Sequence, residues 1–132
     1  MPVVAHGVDL VEVARIDRIW KAHGPRFLER VYTPAERAYC LACKDPAVRL
    51  AGRFAAKEAV MKVLGTGWAG GIEWGDIETL PDPLGRPLVA LHGKSAQLAA
   101  SLGLDVVLIS ISHSGGLAIA SAIGVASQRL DT

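Results

Sequence analysis

The sequence predicts an α+β domain in which an antiparallel sheet packs against one long core helix and several shorter helices. Three observations support this prediction. Helix signals are concentrated in the first half of the chain, a long and mostly apolar helix lies near its centre, and strand-like runs fill the second half. Helices that come early and paired strands that come late are typical of α+β folds. A chain of 132 residues is long enough for one core, so we expect a single domain over residues 1–132.

The N-terminal segment predicts a strand followed by a helix. Residues 3–8 form a short apolar run that ends at Asp9. Residues 12–23 then carry apolar side chains at helical spacing, and Gly24 before a proline is a good helix stop. Asp9 therefore lies where a strand changes to a helix, as a cap for that helix or as a carboxylate that projects from the sheet edge.

Two start signals predict the next helices. Thr33-Pro34-Ala35-Glu36 has the form of a capping box with proline at the first helical position. Asp45-Pro46 repeats this signal before the long helix, which we expect to run to about Leu64 and to end at Gly65.

The second half predicts strands. We expect two strands at about 72–79 and 87–92 around the turn at 81–85, and a short helix at 94–102. The runs VVLISIS and LAIASAI flank a Gly-Gly pair and form a final hairpin that completes the sheet. Residues 106–128 lack Asp, Glu, Lys and Arg, but small and polar residues interrupt their middle, so a buried hairpin is favoured over a membrane span.

Composition excludes several classes of protein. With 51% hydrophobic residues and a net charge of +1, the chain is globular and is not a dedicated nucleic-acid binder. Its N-terminus lacks the features of a signal peptide. Cys40 and Cys43 form a single C-x-x-C without enough nearby ligands for zinc and without the strand context of a redox motif. Free thiols and a cytoplasmic location are expected.

The long helix carries the charges of greatest interest. Arg53, Lys57, Glu58 and Lys62 fall within one half of it at 100° per residue, and small apolar residues fill the other half. This pattern fits a site for an anionic ligand, with or without a metal. It also fits a solvated face on which Glu58 and Lys62 form an ordinary i,i+4 pair.

Other polar residues extend the first interpretation. Asp9 and Glu58 could together hold Mg²⁺, which takes its remaining ligands from water and substrate phosphates. Gly65-Thr66-Gly67 could approach a phosphate closely, although it lacks the spacing of a P-loop. Ser112 and His113 are adjacent on a strand and should point to opposite faces, which disfavours a hydrolase pair.

A local excess of cations marks the segment from Arg15 to Arg30. The cations there outnumber the acidic residues, although the whole chain is nearly neutral. This excess beside an apolar stripe fits electrostatic docking of an acidic protein partner, and a solvated helix face is the alternative. The basic residues expected to dock are Arg15, Arg18, Lys21 and Arg26.

Two of these segments resemble one family specifically. The residues GVDLVEVARI at 7–16 and LAGRFAAKEAVMKVLGTG at 50–67 resemble the holo-(acyl-carrier-protein) synthases, the small single-domain phosphopantetheinyl transferases. SISHS at 110–114 and PLGRP at 83–87 are compatible with them. The resemblance implies the 4'-phosphopantetheinyl transferase fold, and the transfer of phosphopantetheine from coenzyme A to a serine of apo acyl carrier protein in fatty acid biosynthesis.

The resemblance also implies roles for individual residues. Asp9 and Glu58 would hold Mg²⁺ with the pyrophosphate of coenzyme A, and Lys62 would contact that pyrophosphate; these three form the catalytic set. The other residues expected to contact the coenzyme are Lys44, Arg53, Gly65, Thr66, Pro87 and His113. The family is typically a homotrimer with sites between subunits, so Pro87 and His113 would reach a neighbour's coenzyme. No role follows for Lys57 or Arg49.

Two other functions remain open at this stage. A hotdog-like acyl-CoA thioesterase would also combine a central helix, an antiparallel sheet and coenzyme A. A non-catalytic module that binds coenzyme A or carrier protein could retain the fold. The cations of the long helix and of the N-terminal helix have a joint purpose in the transferase interpretation but not in the thioesterase one.

Overall fold

In the part of the chain that the structure describes, the fold combines five α-helices with five strands. A computed structural model describes residues 2–65, 67 and 70–126. The helices in chain order are α1 Val13–His23, α2 Pro25–Val31, α3 Pro34–Ala42, α4 Pro46–Leu64 and α5 Gly93–Ser101. The strands are β1 Val3–Glu12, β2 Ile77–Pro81, β3 Pro87–Leu91, β4 Leu104–Ser114 and β5 Leu117–Ala126. The predicted α+β class is confirmed.

The strands form two antiparallel sheets rather than the one that we expected. Strands β4 and β5 make the predicted hairpin, and β1 adds to the free edge of β5 to give the order β1-β5-β4. Strands β2 and β3 form a separate two-stranded sheet around the predicted turn at 81–85. Within the described residues, no helix combines the length and the apolar character that a membrane crossing requires.

Helix α4 is the centre of the domain. Thirteen of its nineteen residues are buried, including the small apolar residues assigned to its inner half. Glycines on its neighbours make this close packing possible. A Cβ at Gly7 of β1 would collide with the carbonyl of Ala59, and a Cβ at Gly124 of β5 would lie 2.8 Å from Val63. The three-stranded sheet therefore lies directly against the helix that carries the charged residues.

The predicted helix signals are mostly confirmed. Thr33 and Glu36 form the complete capping box of α3, with side-chain and backbone bonds in both directions. Gly65 ends α4 in the left-handed conformation, with φ of 83°. Asp45 occupies the N-cap position of α4, but its side chain makes no capping hydrogen bond.

Two predicted strand boundaries are wrong, and one helix was not predicted. Strand β1 continues to Glu12, so Asp9 lies inside a strand, opposite Ala120, and does not cap α1. Helix α2 was not expected, because Gly24-Pro25 was interpreted only as the end of a helix; proline instead begins the new helix. Residues 74–76 form a 3₁₀ turn where a strand was expected.

Candidate active site

The charged residues of α4 occupy three different environments. Arg53 and Lys57 are buried, Glu58 is half-buried, and the Lys62 side chain is 54% exposed. Arg53 and Glu58 are five residues apart, which corresponds to about 140° around the helix axis. The four residues do fall within half of the helix, as predicted, but their side chains lie in different surroundings.

Strand β1 brings Asp9 to the Lys62 side of α4. Gly7 and Asp9 are two residues apart, so they share the face of β1 that packs on the helix. A Cβ at Gly7 would lie 2.8 Å from the Cβ of Lys62, which shows how closely the two elements approach. The Lys62 ammonium donates to the Val8 carbonyl at 2.7 Å and lies 3.5 Å from Asp9 Oδ1. The structure therefore places a carboxylate and an ammonium side by side.

Glu58 joins Lys62 at an open cavity of about 280 Å³. Gly65 and Gly67 also line this cavity, at the end of α4 where the chain turns away. Thr66, which was predicted to line the path of the coenzyme, lies outside the described residues. The catalytic set predicted from the sequence thus falls into one region that contains two carboxylates, a cation and a glycine-flanked turn.

The donors in this region suit magnesium. Among the described residues, no group of three or more His, Cys, Asp and Glu side chains could enclose a metal ion. Magnesium does not need such a group, because it is usually held by one or two carboxylates together with water and substrate phosphates. Asp9 and Glu58 fit this pattern, and the exposed ammonium of Lys62 beside them fits a phosphate ligand.

Arg53 contributes to a second cavity, of about 260 Å³, on another side of α4. Pro87 and His113 line the same cavity, so the structure brings together three of the residues predicted to contact the coenzyme. Ser112 also reaches it, next to His113. Lys44 is exposed in the turn between α3 and α4 and does not line this cavity.

The second cavity has the features of an anion site. The Arg53 guanidinium lies over the ring of Tyr39, at 4.6 Å from the ring centroid. Arg53 is only 5% exposed, and its buried Nε has no hydrogen-bond partner among the described residues. A buried donor without a partner is costly, and a bound anion would satisfy it. Tyr39 and Arg49 line the cavity as well, and sequence reasoning assigned neither of them a role.

Lys57 belongs to a buried ion pair and to neither cavity. Its ammonium donates to Glu36 Oε1 at 2.8 Å, to the Trp74 carbonyl at 3.0 Å and to the Ile77 carbonyl at 2.5 Å. Glu36 also accepts from the backbone N–H groups of Thr33 and Thr79. Burial lowers the pKa of Lys57, and the carboxylate of Glu36 opposes that shift. Lys57, to which the sequence analysis assigned no role, thus has a structural role.

The two cysteines are free thiols, as expected. Cys40 is fully buried, and burial raises its pKa to about 11. Cys43 is half-buried and donates from its thiol to the Tyr39 carbonyl at 3.3 Å.

A basic surface surrounds a groove between α1, α2 and α4. The predicted docking residues Arg15, Arg18, Lys21 and Arg26 are all exposed. Lys21 is paired with Asp17 at 2.7 Å. Next to them lies a groove of about 800 Å³ whose apolar lining residues are Ile19, Phe27, Val31, Phe54 and Trp74. Arg26 and Arg30 line the same groove together with His23 and one acidic residue, Glu29, so apolar surface and an excess of cations occur together.

Known proteins match both the sequence and the fold. The family model for the 4'-phosphopantetheinyl transferase superfamily matches residues 5–121. A holo-[acyl-carrier-protein] synthase of Koribacter versatilis is 47% identical over 121 residues, which cover 92% of this chain and 97% of that protein. Among solved structures, the Neisseria meningitidis holo-[acyl-carrier-protein] synthase has a TM-score of 0.85 at 31% identity, covering 94% of this chain and 99% of that one. The Helicobacter pylori synthase in complex with coenzyme A has a TM-score of 0.81 at 34% identity, covering 92% and 100%.

Proposed function

We propose the following reaction for this chain, which belongs to the 4'-phosphopantetheinyl transferase superfamily. The enzyme is a holo-(acyl-carrier-protein) synthase that transfers the phosphopantetheine arm of coenzyme A to apo acyl carrier protein, in support of fatty acid biosynthesis. The thioesterase and the non-catalytic binding module are not retained. The observation that supports the assignment to this site is that Lys62 contacts Asp9 and also lines the same cavity as Glu58.

The chemistry at this site is a phosphoryl transfer. A serine oxygen of the carrier protein forms a bond to the β-phosphorus of coenzyme A, and the bond from that phosphorus to the bridging oxygen breaks. Adenosine 3',5'-bisphosphate leaves, and the serine proton passes to a base at the site, for which Asp9, Glu58 and water are the candidates. Lys62 would contact the pyrophosphate and offset the charge that develops on its oxygens. The residues act by positioning and electrostatics, because the chain itself forms no covalent bond.

Asp9 and Glu58 would hold Mg²⁺ together with the pyrophosphate. When bound there, the metal would act as a Lewis acid that draws charge from the phosphoryl oxygens. Glu58 belongs to α4 and Asp9 to the strand that packs against it, so the chain can present both carboxylates without a larger cage of ligands. The two free thiols support a reducing compartment, and we place the reaction in the cytoplasm.

The separation of the two cavities supports a homotrimer with sites between subunits. Arg53, Pro87 and His113 face one cavity, whereas Glu58 and Lys62 face the other. One coenzyme would then lie between the first cavity of one copy and the second cavity of its neighbour. An apolar sheet face is available for this assembly, with side chains between 37% and 57% exposed: Val8, Leu10, Leu108, Ile119 and Ile123. Contiguous exposed apolar surface of this kind marks protein interfaces.

The basic surface around α1 would receive the carrier protein. Positive charge steers the encounter with an acidic helix and fixes its orientation. The apolar groove beside Arg26 and Arg30 offers desolvated contact area for the same partner.

A transfer assay tests the reaction directly. The protein is incubated with apo carrier protein, coenzyme A and Mg²⁺, and mass spectrometry should show that the carrier gains one phosphopantetheine. Glu58→Gln should abolish this gain while its thermal unfolding stays close to that of the parent chain. Absence of any gain with the parent chain under several divalent metals would refute the function. Full activity of Glu58→Gln would remove Glu58 from the metal site.

Mixed oligomers test the sites between subunits. Arg53→Ala and Glu58→Gln should each be nearly inactive alone. When the two chains are co-expressed with different tags and purified through both, a fraction of the sites should combine intact halves and regain activity. Mixed oligomers that remain inactive would mean that both residues serve the same coenzyme from one chain. Native mass spectrometry of the parent chain should show three copies.

A further inference from the structure

The Arg53 cavity has more positive charge than the sequence motifs explain. Arg49 lies one helical turn before Arg53, and both residues line the cavity. Ser112 and His113 add a hydroxyl and an imidazole from β4. Two guanidiniums with further polar groups form a site for a doubly charged anion, for which the fork of donors on arginine is well suited.

The pyrophosphate of coenzyme A is not the anion expected there. Under the proposed function, the pyrophosphate lies at Glu58 and Lys62, which face a different cavity, and at Asp9, which contacts Lys62. Coenzyme A carries one further phosphate, a monoester on the 3'-oxygen of its ribose. This is the phosphate left for the cavity of Arg49 and Arg53.

Arg49 is held only weakly in its present position. Its one side-chain hydrogen bond within the described part of the chain runs from Nε to Asp45 Oδ1, at 3.4 Å. Both side chains are partly exposed, at 37% and 44%, which limits the strength of such a pair. Arg53, in contrast, is buried and rests on Tyr39. The cavity therefore contains one fixed guanidinium and one that can turn toward a ligand at little cost.

We propose that Arg49 is a specificity residue that clamps the 3'-phosphate of coenzyme A together with Arg53, and so sets the preference for coenzyme A over its dephospho form. The proposal rests on the proposed function for the identity of the ligand. Arg53 and Tyr39 provide the preformed wall of the cavity, and Arg49 exchanges Asp45 for the phosphate when the coenzyme binds.

Transfer kinetics with two donor substrates test this role. The ratio of kcat/KM for coenzyme A to that for 3'-dephospho-coenzyme A is measured for the parent chain, Arg49→Ala and Arg49→Lys. Loss of a charge-assisted hydrogen bond should lower this ratio about tenfold or more in Arg49→Ala. The effect should lie in KM rather than kcat, and Arg49→Lys should restore part of it. Lys94→Ala, at an exposed cation on α5, is the matched control and should leave the ratio unchanged.

Asp45→Asn provides a change of opposite sign. The Asp45 side chain caps nothing, so this substitution removes the acidic partner of Arg49 and leaves the start of α4 intact. The ratio should rise in Asp45→Asn, because Arg49 no longer has to leave a carboxylate. A ratio that falls there would contradict the exchange of partners.

Calorimetric binding separates this proposal from the proposed function. Adenosine 3',5'-bisphosphate and adenosine 5'-monophosphate are titrated into the same variants, and no transfer is needed. Arg49→Ala should weaken the bisphosphate about tenfold or more and reduce its advantage over the monophosphate. Equal losses for both ligands, or no loss for either, would overturn the role of Arg49 even if transfer is intact. If the parent chain discriminates between the two ligands but transfers nothing, the proposed reaction is refuted, whereas the proposal that this cavity binds the 3'-phosphate is supported.

Discussion

Removal of the Lys57 ammonium should destabilise the domain by about 3–5 kcal/mol, the range for breaking a buried ion pair at one partner. Lys57→Met keeps much of the side-chain volume but leaves Glu36 charged inside the core. It also removes the donor for the Trp74 and Ile77 carbonyls, which Lys57 binds at 3.0 and 2.5 Å. Both members of the pair are fully buried, so water cannot replace the lost contacts. A loss of this size corresponds to about 10–20 °C in Tm for a domain of this length.

Urea unfolding followed by tryptophan fluorescence measures this loss. All variants must be compared at one protein concentration, because association shifts apparent stability. The double variant Lys57→Met/Glu36→Gln should recover a substantial part of the loss, since no buried charge remains. The matched control is Lys21→Met, which breaks an exposed pair with Asp17 and should cost about 1 kcal/mol or less.

Two results would refute this reasoning. If Lys57→Met lowers the free energy of unfolding no more than Lys21→Met does, then leaving Glu36 without its lysine partner does not destabilise the core as expected. A double variant that is less stable than Lys57→Met alone would show that Glu36 does not depend on the lysine charge. If Lys57→Met fails to fold, Lys57→Arg, which retains the charge, gives the second measurement.

Three further outcomes can be checked with simple assays. Cys43 should react with a thiol reagent at pH 8 well before Cys40, which has a pKa of about 11 and therefore only about one thiolate per thousand molecules at that pH; equal rates in the native protein would contradict the burial of Cys40. Gly7→Ala should cost about 1–3 kcal/mol in urea unfolding, because its Cβ would collide with the Ala59 carbonyl and push β1 from α4; an unchanged midpoint would argue against this close approach. Arg18→Glu should raise the KM for carrier protein several-fold, and the KM for coenzyme A should change little; the reverse pattern would exclude the docking role.

Local signals in the sequence predicted much of the fold. The capping box at Thr33 and the stop at Gly65 depend on neighbouring residues only, and both were predicted correctly. The hairpin of β4 and β5 follows from two strand-like runs around Gly115-Gly116. Helix α2 was missed because it has only seven residues and no long apolar pattern.

Other features depend on contacts between distant parts of the chain. The apolar run of residues 3–8 stops before Asp9, which therefore marks the predicted end of the strand. The strand instead continues past Asp9, whose carboxylate lies beside Lys62, fifty-three residues away. Lys57 could not be placed for the same reason, since Glu36 comes from another helix. Such pairs leave no periodic pattern in the sequence.

The candidate site was predicted unevenly for a physical reason. Asp9, Glu58 and Lys62 belong to two specific motifs and lie in one region of the structure. The cavity of Arg53 is assembled from α3, α4, β4 and the turn that follows β2. Because these segments are far apart in the sequence, no motif identifies Tyr39 or Arg49. Only their position in the folded chain shows that they line the same space.

The crowding around helix α4 has a consequence for engineering. Substitutions meant to alter solubility, surface tags or carrier preference should not be placed on this helix. Nearly every residue there either fills the interior or faces one of the two cavities. Libraries for carrier preference should be directed instead to the exposed face of α1, which we propose as the docking surface. Libraries for solubility or tags should be directed to the turn between β2 and β3, avoiding Gly85, which lines the Arg53 cavity. Leu84, which is 87% exposed, is a suitable first position.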